Sequence, residues 1–563
     1  MIDGLTPAVF FIAGGLLAPF LHIHALRILM LALPVAGLAQ LFGLDPAGQG
    51  TYHFTGLDLI TLRMDSLGLI FAAVFHVVAF ILALYALHVR DRLQHAAMLV
   101  TAGGAIGASL AGDLITLFFF WELATFASVL LIWAVRTERA YAAGKRFLLI
   151  QAGAGLLLLS GAVLLSRETG SLAFSHMRLE SLATWFIFLS FGVKCAFPLL
   201  HNWLADAYPE ATVTGTAVLA SFSTKLAIYA LARGFSGEEL LITIGAVMAV
   251  FPMFYALIEN DLRRVLCYSL NNQLGFMLVG IGVGGALAVN GAIAHAVTNI
   301  LFKGLLFMSV GAVMLRTGSA RASDLGGLYK SMPWTTGFCL VGAASISAFP
   351  LFAGFVSKGM ILAATAESGH WLVWLALMFA AAGILHYTGA KIPYFAFFGQ
   401  DRGVRCREAP GNMLAAMGLA SGLCLLIGIY PTLLYGVLPS KVEFIPYTFE
   451  HVVTQMQLLL FSALAFAFLM RTGIYPPALR SVNLDTDWFY RRLLPVIGRY
   501  GERLLMHLTG GLRRAGEMLM RQGFRLLYRV HGPRGVLART APGSVTMLWV
   551  LVLLAGVLVL YYV

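Results

Sequence analysis

Residues 347–358 read SAFPLFAGFVSK and residues 194–200 read KCAFPLL, so the tetrad Ala-Phe-Pro-Leu occurs twice, each time inside a long apolar stretch and close to a lysine. Pro198 and Pro350 have no amide N–H, and each frees the carbonyl four residues before it. In hydrocarbon a freed carbonyl has to face protein or a water-filled cavity. Lys194 precedes its proline by four residues, whereas Lys358 follows the other by eight. Interrupted spans at matching places in two halves of a chain are the pattern of inverted-repeat transporters with an ion path near the bilayer midplane. The repeated tetrad therefore predicts two half-channels with lysines as proton-binding stations. It also sets the expected fold class: an all-α polytopic membrane protein built on two inverted repeats with discontinuous helices.

Composition supports that frame. Of 563 residues, 60% are hydrophobic and only 11% are charged, and the mean hydropathy is +0.85. Soluble domains carry about 25% charged residues. Apolar runs of the ~20 residues needed to cross a bilayer follow one another from residue 7 to 470, and one more occupies 546–562. About 16 spans are expected. The first run has no basic segment before it and leads into further spans, so no cleavable leader is expected. Residues 50–63 (GTYHFTGLDLITLR) alternate as a short β-hairpin would. The five cysteines form no CxxC or metal-spaced cluster, so no metal and no cofactor is expected.

The net charge of +12 reads as positive-inside bias rather than nucleic-acid binding. Arg90, Arg92, Arg136, Arg139, Lys145, Arg146, Arg263, Arg264, Arg316, Arg321, Lys330, Arg402, Arg405 and Arg407 fall on one side when the spans are counted alternately. Both termini are then expected outside a bacterial inner membrane. Residues 471–540 carry thirteen arginines against four acidic residues, with Leu, Met and Phe at helical spacing. This is the pattern of a basic amphipathic segment lying along the membrane surface. The expected divisions are 1–112 (spans 1–4), 113–258 and 259–397 (two proton half-channel repeats), 398–470 (spans 14–15), 471–545 (basic lateral segment) and 546–563 (final span).

Charges inside the spans mark the candidate site. Glu122, Lys225 and Lys303 are central to their apolar runs, His295 lies two turns before Lys303, and Lys194 and Lys358 flank the two breaks. Each central charge costs ~2.5–3.5 kcal/mol on insertion, so chance retention of all of them is implausible. The bland readings are snorkelling for Lys194, static ion pairs for the central charges and a hydrogen-bonded core role for His295. His386 and Lys391 are weaker candidates, because Lys391 is placed to reach the membrane surface. Lysine suits proton relay, since loss of water loosens its hold on the proton and a nearby carboxylate restores it.

The order WEL, KCAFPLLHNWLADAYPEA, STKLAIYAL, DLRRVLCYS, HAVTNILFK, LGGLYKSMP and SAFPLFAGFVSK resembles the proton-conducting antiporter-like family. That family comprises the large subunits of Mrp-type Na+/H+ antiporters and the antiporter-like subunits of respiratory complex I and membrane-bound hydrogenases. The resemblance covers roughly residues 65–440, and LADAYPEA followed by STKL is most similar to the D-type protein of Mrp antiporters. It implies that Glu122 is the essential glutamate with Lys194 as its partner, that Lys225, His295 and Lys303 form the central relay, and that Lys358 is the exit lysine. Where some relatives have a second histidine, this chain has Asn299.

The expected function is proton translocation within a multisubunit Na+ or K+/H+ antiporter, with other membrane subunits as partners and no enzymatic activity of its own. The alternatives are a proton-pumping subunit of a redox complex and a proton-conducting partner for inorganic-carbon uptake. A purely structural scaffold is argued against by the buried charges.

Overall fold

Apolar runs in a membrane fold as helices because only a helix satisfies its own backbone groups, and here many begin at a polar cap. Asp65, Asp91, Asp113, Thr137, Ser181, Thr212, Asp261 and Thr448 each accept a backbone N–H from the first turn of the helix that follows. The computed structural model describes residues 6–45, 48–54, 57–477, 479, 483, 485–531 and 543–562. It divides into two compact units, Met1–Asn483 and Leu484–Val563.

In the first unit, α1 (Ala8–Leu17) and α2 (Ile23–Gly43) lead to an antiparallel hairpin of β1 (Gln49–Phe54) and β2 (Leu57–Arg63), where the alternation predicted one. Then follow α3 (Ser66–Ala86), α4 (Arg92–Leu110), α5 (Leu114–Trp133), α6 (Glu138–Thr169), α7 (Leu182–Lys194), α8 (Asn202–Ala207), α9 (Val213–Gly234) and α10 (Glu239–Ile258). The second half runs through α11 (Leu262–Val283), α12 (Ala286–Thr317), α13 (Pro333–Ile346), α14 (Ala353–Glu367) and α15 (Trp371–Ile384). α15 continues through two π-helical turns, Leu385–Ala390 and Tyr394–Phe398, on either side of α16 (Lys391–Pro393). α17 (Gly411–Ile429), α18 (Thr432–Tyr435) and α19 (Phe449–Thr472) complete the unit. The second unit holds α20 (Leu494–His531) and α21 (Gly543–Tyr562).

Eleven helices among the described residues are long and apolar enough to cross a bilayer, fewer than the sixteen spans expected. The shortfall has local causes. The expected spans 183–200 and 333–366 are each split by a break, which leaves α7, α13 and α14 at 13, 14 and 15 residues. α11 carries Asn271, Asn272 and Gln273 among its apolar residues and falls outside the eleven. Ala8–Phe20 and Val545–Tyr561 are apolar but short.

The two breaks share one backbone device. Ala196 and Leu199 in the first, and Ala348 and Leu351 in the second, have φ of +62°, +69°, +58° and +71°. The Phe197 N–H reaches back to the Gly192 carbonyl and the Phe349 N–H to the Ala344 carbonyl, both at 3.0 Å. The Ala196 and Ala348 N–H groups bond the Val193 and Ser345 carbonyls, both at 3.1 Å. This is the Schellman termination that usually takes glycine, here built on alanine at a cost of ~1–2 kcal/mol per left-handed residue. The chain then restarts in α8 or α14. Gly354, in the first turn of α14, faces the Ser345 carbonyl so closely that a side chain there would collide with it.

Candidate functional site

Glu122 on α5 and Lys194 at the end of α7 form an ion pair, Nζ to Oε1 at 2.7 Å. Both are buried, at 8% and 1% exposure, so Lys194 does not snorkel. Its ammonium also lies 5.0 Å from the Trp121 ring. Space for the carboxylate comes from α6, where a Cβ on Gly155 would stand 2.5 Å from the Glu122 carboxyl carbon. Gly155 is a site residue that the sequence did not reveal, because small residues abound in these helices.

A cavity of about 10 Å³ opens between this pair and α9, lined by Thr101, Thr125, Gln151, Lys194 and Ser223 among others. That is about the space one water molecule needs. The Thr101 hydroxyl and the Gln151 amide nitrogen are buried without a hydrogen-bond partner among the described residues, so the donors and acceptors fit a single bridging water. Ser223 lies two residues before Lys225 on α9.

Lys225 is fully buried and donates to the Ala220 carbonyl at 2.9 Å. α9 and α12 are the most enclosed of the crossing helices, each with 94% of its apolar window buried. On α12, His295, Asn299 and Lys303 recur at four-residue intervals and so share one face. All three are at 0% exposure. Among the described residues the Lys303 ammonium and both polar atoms of the Asn299 amide have no hydrogen-bond partner. His295 is clamped, Nε2 to Gln273 Oε1 on α11 and Nδ1 to Ser357 Oγ on α14, both at 3.0 Å. Gln273 and Ser357 were missed by the sequence reading; the amide run Asn271–Gln273 inside a membrane helix was the available signal. Lys225 and Lys358 both lie within electrostatic range of His295 and of Lys303.

Lys358, next to Ser357, donates to the Ile346 carbonyl at 2.8 Å. That is the carbonyl which Pro350 releases, so the lysine occupies the acceptor that the break creates. Its ammonium lies 5.2 Å from the Phe276 ring. At the first break the neighbouring acceptors go elsewhere: Trp203 Nε1 donates to the Val193 carbonyl and Asn271 Nδ2 to the Ala196 carbonyl.

Of the weaker candidates, Lys391 does not reach the surface. It is 3% exposed and donates to the Ala256, Leu257 and Glu259 carbonyls at 2.7–2.9 Å. It caps the C-terminus of α10, where a helix dipole favours a cation. His386 is half-buried against Ser462 Oγ at 3.0 Å and stands apart from the other groups.

The arrangement is thus a buried ion pair followed by basic groups that, among the described residues, have no carboxylate partner. Like charges in a medium of low dielectric repel strongly, so full protonation of such a line is disfavoured and a proton on one station weakens its hold on the next. No group of His, Cys, Asp and Glu suited to a metal ion occurs among the described residues.

Residues 111–384 match the family described as NADH:quinone oxidoreductase/Mrp antiporter, TM. Hydrogenase-4 component B of Escherichia coli is 27% identical over 74% of this chain and 71% of its own length. The N subunit of NADH-quinone oxidoreductase from Desulforudis audaxviator is 33% identical over 49% of this chain, and the A1 subunit of the Na(+)/H(+) antiporter from Staphylococcus aureus is 26% identical over 79%. The chain spans 60% and 63% of those two relatives.

Among solved structures, the Mrp complex from Dietzia sp. DQ12-45-1b matches with a TM-score of 0.68 at 20% identity, over 83% of this chain and 98% of that one. The archaeal membrane-bound sulfane sulfur reductase matches with 0.72 at 22% identity, over 98% of this chain and 99% of that one. Respiratory complex I from Thermus thermophilus gives 0.67 at 24% identity, over 77% and 99%. At those identities the likeness is one of fold. The chain is thus related to the antiporter-like membrane subunits of Mrp antiporters, complex I and hydrogenases. It is a multi-pass membrane protein, and these three solved structures of the fold are all multisubunit membrane complexes.

Proposed function

We propose that the chain is the proton-translocating subunit of a multisubunit Na+ or K+/H+ antiporter of Mrp type, set in a bacterial inner membrane with both termini outside. Protons enter at Glu122 and Lys194, cross by Lys225, Lys303 and His295, and leave by Lys358. The observation that carries this reading is the 2.7 Å buried pair in one helical unit with buried basic groups that have no carboxylate partner among the described residues. The stretch around LADAYPEA, similar to the D-type Mrp protein, and the A1 relative both point to a large Mrp subunit. Residues 113–258 and 259–397 act as the two half-channels, each with one Ala-Phe-Pro-Leu break. The basic helix α20 lies along the cytoplasmic face and braces a neighbouring subunit.

A second reading, a proton-pumping subunit of a redox complex, draws support from hydrogenase-4 component B and from the 98% coverage by the sulfane sulfur reductase fold. The same proton path serves both. Everted vesicles carrying the full set of native partner subunits and a pH-sensitive dye separate them. A Na+ or K+ pulse that drives proton movement, abolished by Glu122→Gln at unchanged protein level, supports the antiporter. Proton movement that needs a redox substrate and ignores both cations supports the second reading. Normal transport by Glu122→Gln overturns the path.

A further inference from the structure

A cavity of about 320 Å³ lies between the second half of α14, the start of α15 and the start of α19. One wall is apolar, with Leu362, Ala363, Trp374 and Met378; the other carries Thr448, Glu450, His451, Thr454 and Gln455. Gly359, the residue next to Lys358, also lines it. His451 is held there in three ways. Its ring stacks on Phe355 at 4.5 Å, its Nδ1 is 2.8 Å from the Pro446 carbonyl, and its Cε1 would be 2.6 Å from a Cβ placed on Gly359. Gln455, 6% exposed, donates to the Ser347 carbonyl at 3.3 Å. The adjoining carbonyl, Ile346, is the one that binds Lys358. The cavity and the lysine therefore meet at the same broken helix end.

We propose that this cavity is the outer mouth of the second half-channel, with His451 and Glu450 exchanging protons between Lys358 and the external aqueous phase. The proposal rests on the proton path above and extends it to α19, outside the family-matched region 111–384. Three features carry it. The cavity is far larger than the single-water space beside Lys194, so it admits a chain of waters. Its titratable groups, Glu450 and His451, can each take up and release a proton. Its position follows from the charge pattern: α13 begins beside the basic loop that holds Arg321 and Lys330, so α14 and the loop before α19 approach the opposite face. In the step itself the Lys358 ammonium loses its proton to water. That water passes it to the neutral His451 ring, and the imidazolium releases it outward past the Glu450 carboxylate.

The test uses intact cells treated with a membrane-impermeant, sulfonate-bearing methanethiosulfonate, from which everted vesicles with all native partners are then prepared. Among the native cysteines, Cys195, Cys267, Cys339 and Cys424 are buried and Cys406 is half-buried, so the parent chain is the control. Ala363→Cys should be labelled from outside, and labelling should cut proton transport by about tenfold or more while the parent is unaffected. His451→Gln fills similar space but carries no proton, and should slow transport by about 100-fold, as loss of a positioned acid–base group does. Full external labelling of Ala363→Cys without loss of transport, absence of external labelling at normal protein level, or normal transport by His451→Gln each overturns the proposal. Glu122→Gln in the same vesicles separates the two claims. If it stops transport while labelled Ala363→Cys does not, the relay stands and the mouth is wrong; if it transports normally, both fall.

Discussion

The two Ala-Phe-Pro-Leu breaks have the same backbone and opposite electrostatics. Both end a helix in a Schellman turn with alanine and leucine at positive φ. At the first break the lysine is the last helical residue and is neutralised by Glu122, 72 residues earlier in sequence. At the second the lysine lies one turn into the restarted helix and, among the described residues, hydrogen-bonds only the carbonyl which the proline freed. A break therefore offers two ways to hold a cation in hydrocarbon: an imported counter-charge, or the negative end of the interrupted helix. The first is strong and depends on a partner helix. The second is local and weaker, which suits a station that has to let its proton go.

The largest expected effect comes from splitting the ion pair. Removing one partner of a buried pair typically costs 3–5 kcal/mol, while replacing both by apolar groups can be neutral. Lys194→Met and Glu122→Leu should each lower the thermal midpoint of the purified complex sharply, and the double variant should recover most of that loss while transporting no protons. A double variant as unstable as the singles would mean that the pair is not the stabilising unit.

Lys358→Met should cost less, about 1–3 kcal/mol, the penalty for one buried carbonyl left without a donor. The same thermal measurement ranks the two breaks directly. A loss as large as that of Lys194→Met would show that Lys358 has a charged partner and would end the contrast.

Gly155→Ala tests the space behind the pair. The new methyl would press on the Glu122 carboxylate, and overpacking of this kind costs about 1–3 kcal/mol. Transport should fall more than stability does, because the carboxylate must move. An active, stable Gly155→Ala would show that α6 gives way freely.

Ala196→Gly and Ala348→Gly probe what the breaks share. Each relieves a left-handed alanine but adds freedom to the unfolded chain, so the net change should be small, within about 1 kcal/mol, and of the same sign at both sites. Opposite signs in thermal scans would mean that the matching φ values conceal different strain.

The smallest effect concerns the hairpin. Burial alone would raise the Asp65 carboxyl, but its Arg233 hydrogen bonds, both 2.7 Å, outweigh this and hold it below its usual range. A depressed carboxyl contributes stability above its unfolded pKa of about 3.9 and loses it as pH falls further. Arg63 joins Asp65 to the Phe174 carbonyl, so hydrogen exchange in 57–63 should quicken only below about pH 4. Asp65→Asn should show the fast exchange at neutral pH.

Much of this protein was legible in its residues. The apolar runs, the hairpin at 50–63 and the two proline breaks are local patterns, set by hydropathy, alternation and a missing amide. The buried charges stood out because each is expensive where it lies. The family followed from the order of motifs. Locality also explains what could not be read. A span count treats an interrupted helix as one object, whereas the structure divides it, and this removes two of the sixteen expected spans from the full-length helices among the described residues. Lys391 looked free to reach the surface because its span ends nearby, and only packing brought the α10 carbonyls to it. His295 could be named as a candidate, but its clamp by Gln273 and Ser357 spans 22 and 62 residues of sequence, and no periodicity carries such pairings.

The sequence by itself determined which charges had to be sheltered and where the helices had to break, because insertion cost and proline geometry are properties of single residues. Only the tertiary structure decided which charge met a carboxylate, which met a bare carbonyl and which met neither. Those outcomes depend on the approach of helices far apart in the chain, down to the missing methyl of Gly155.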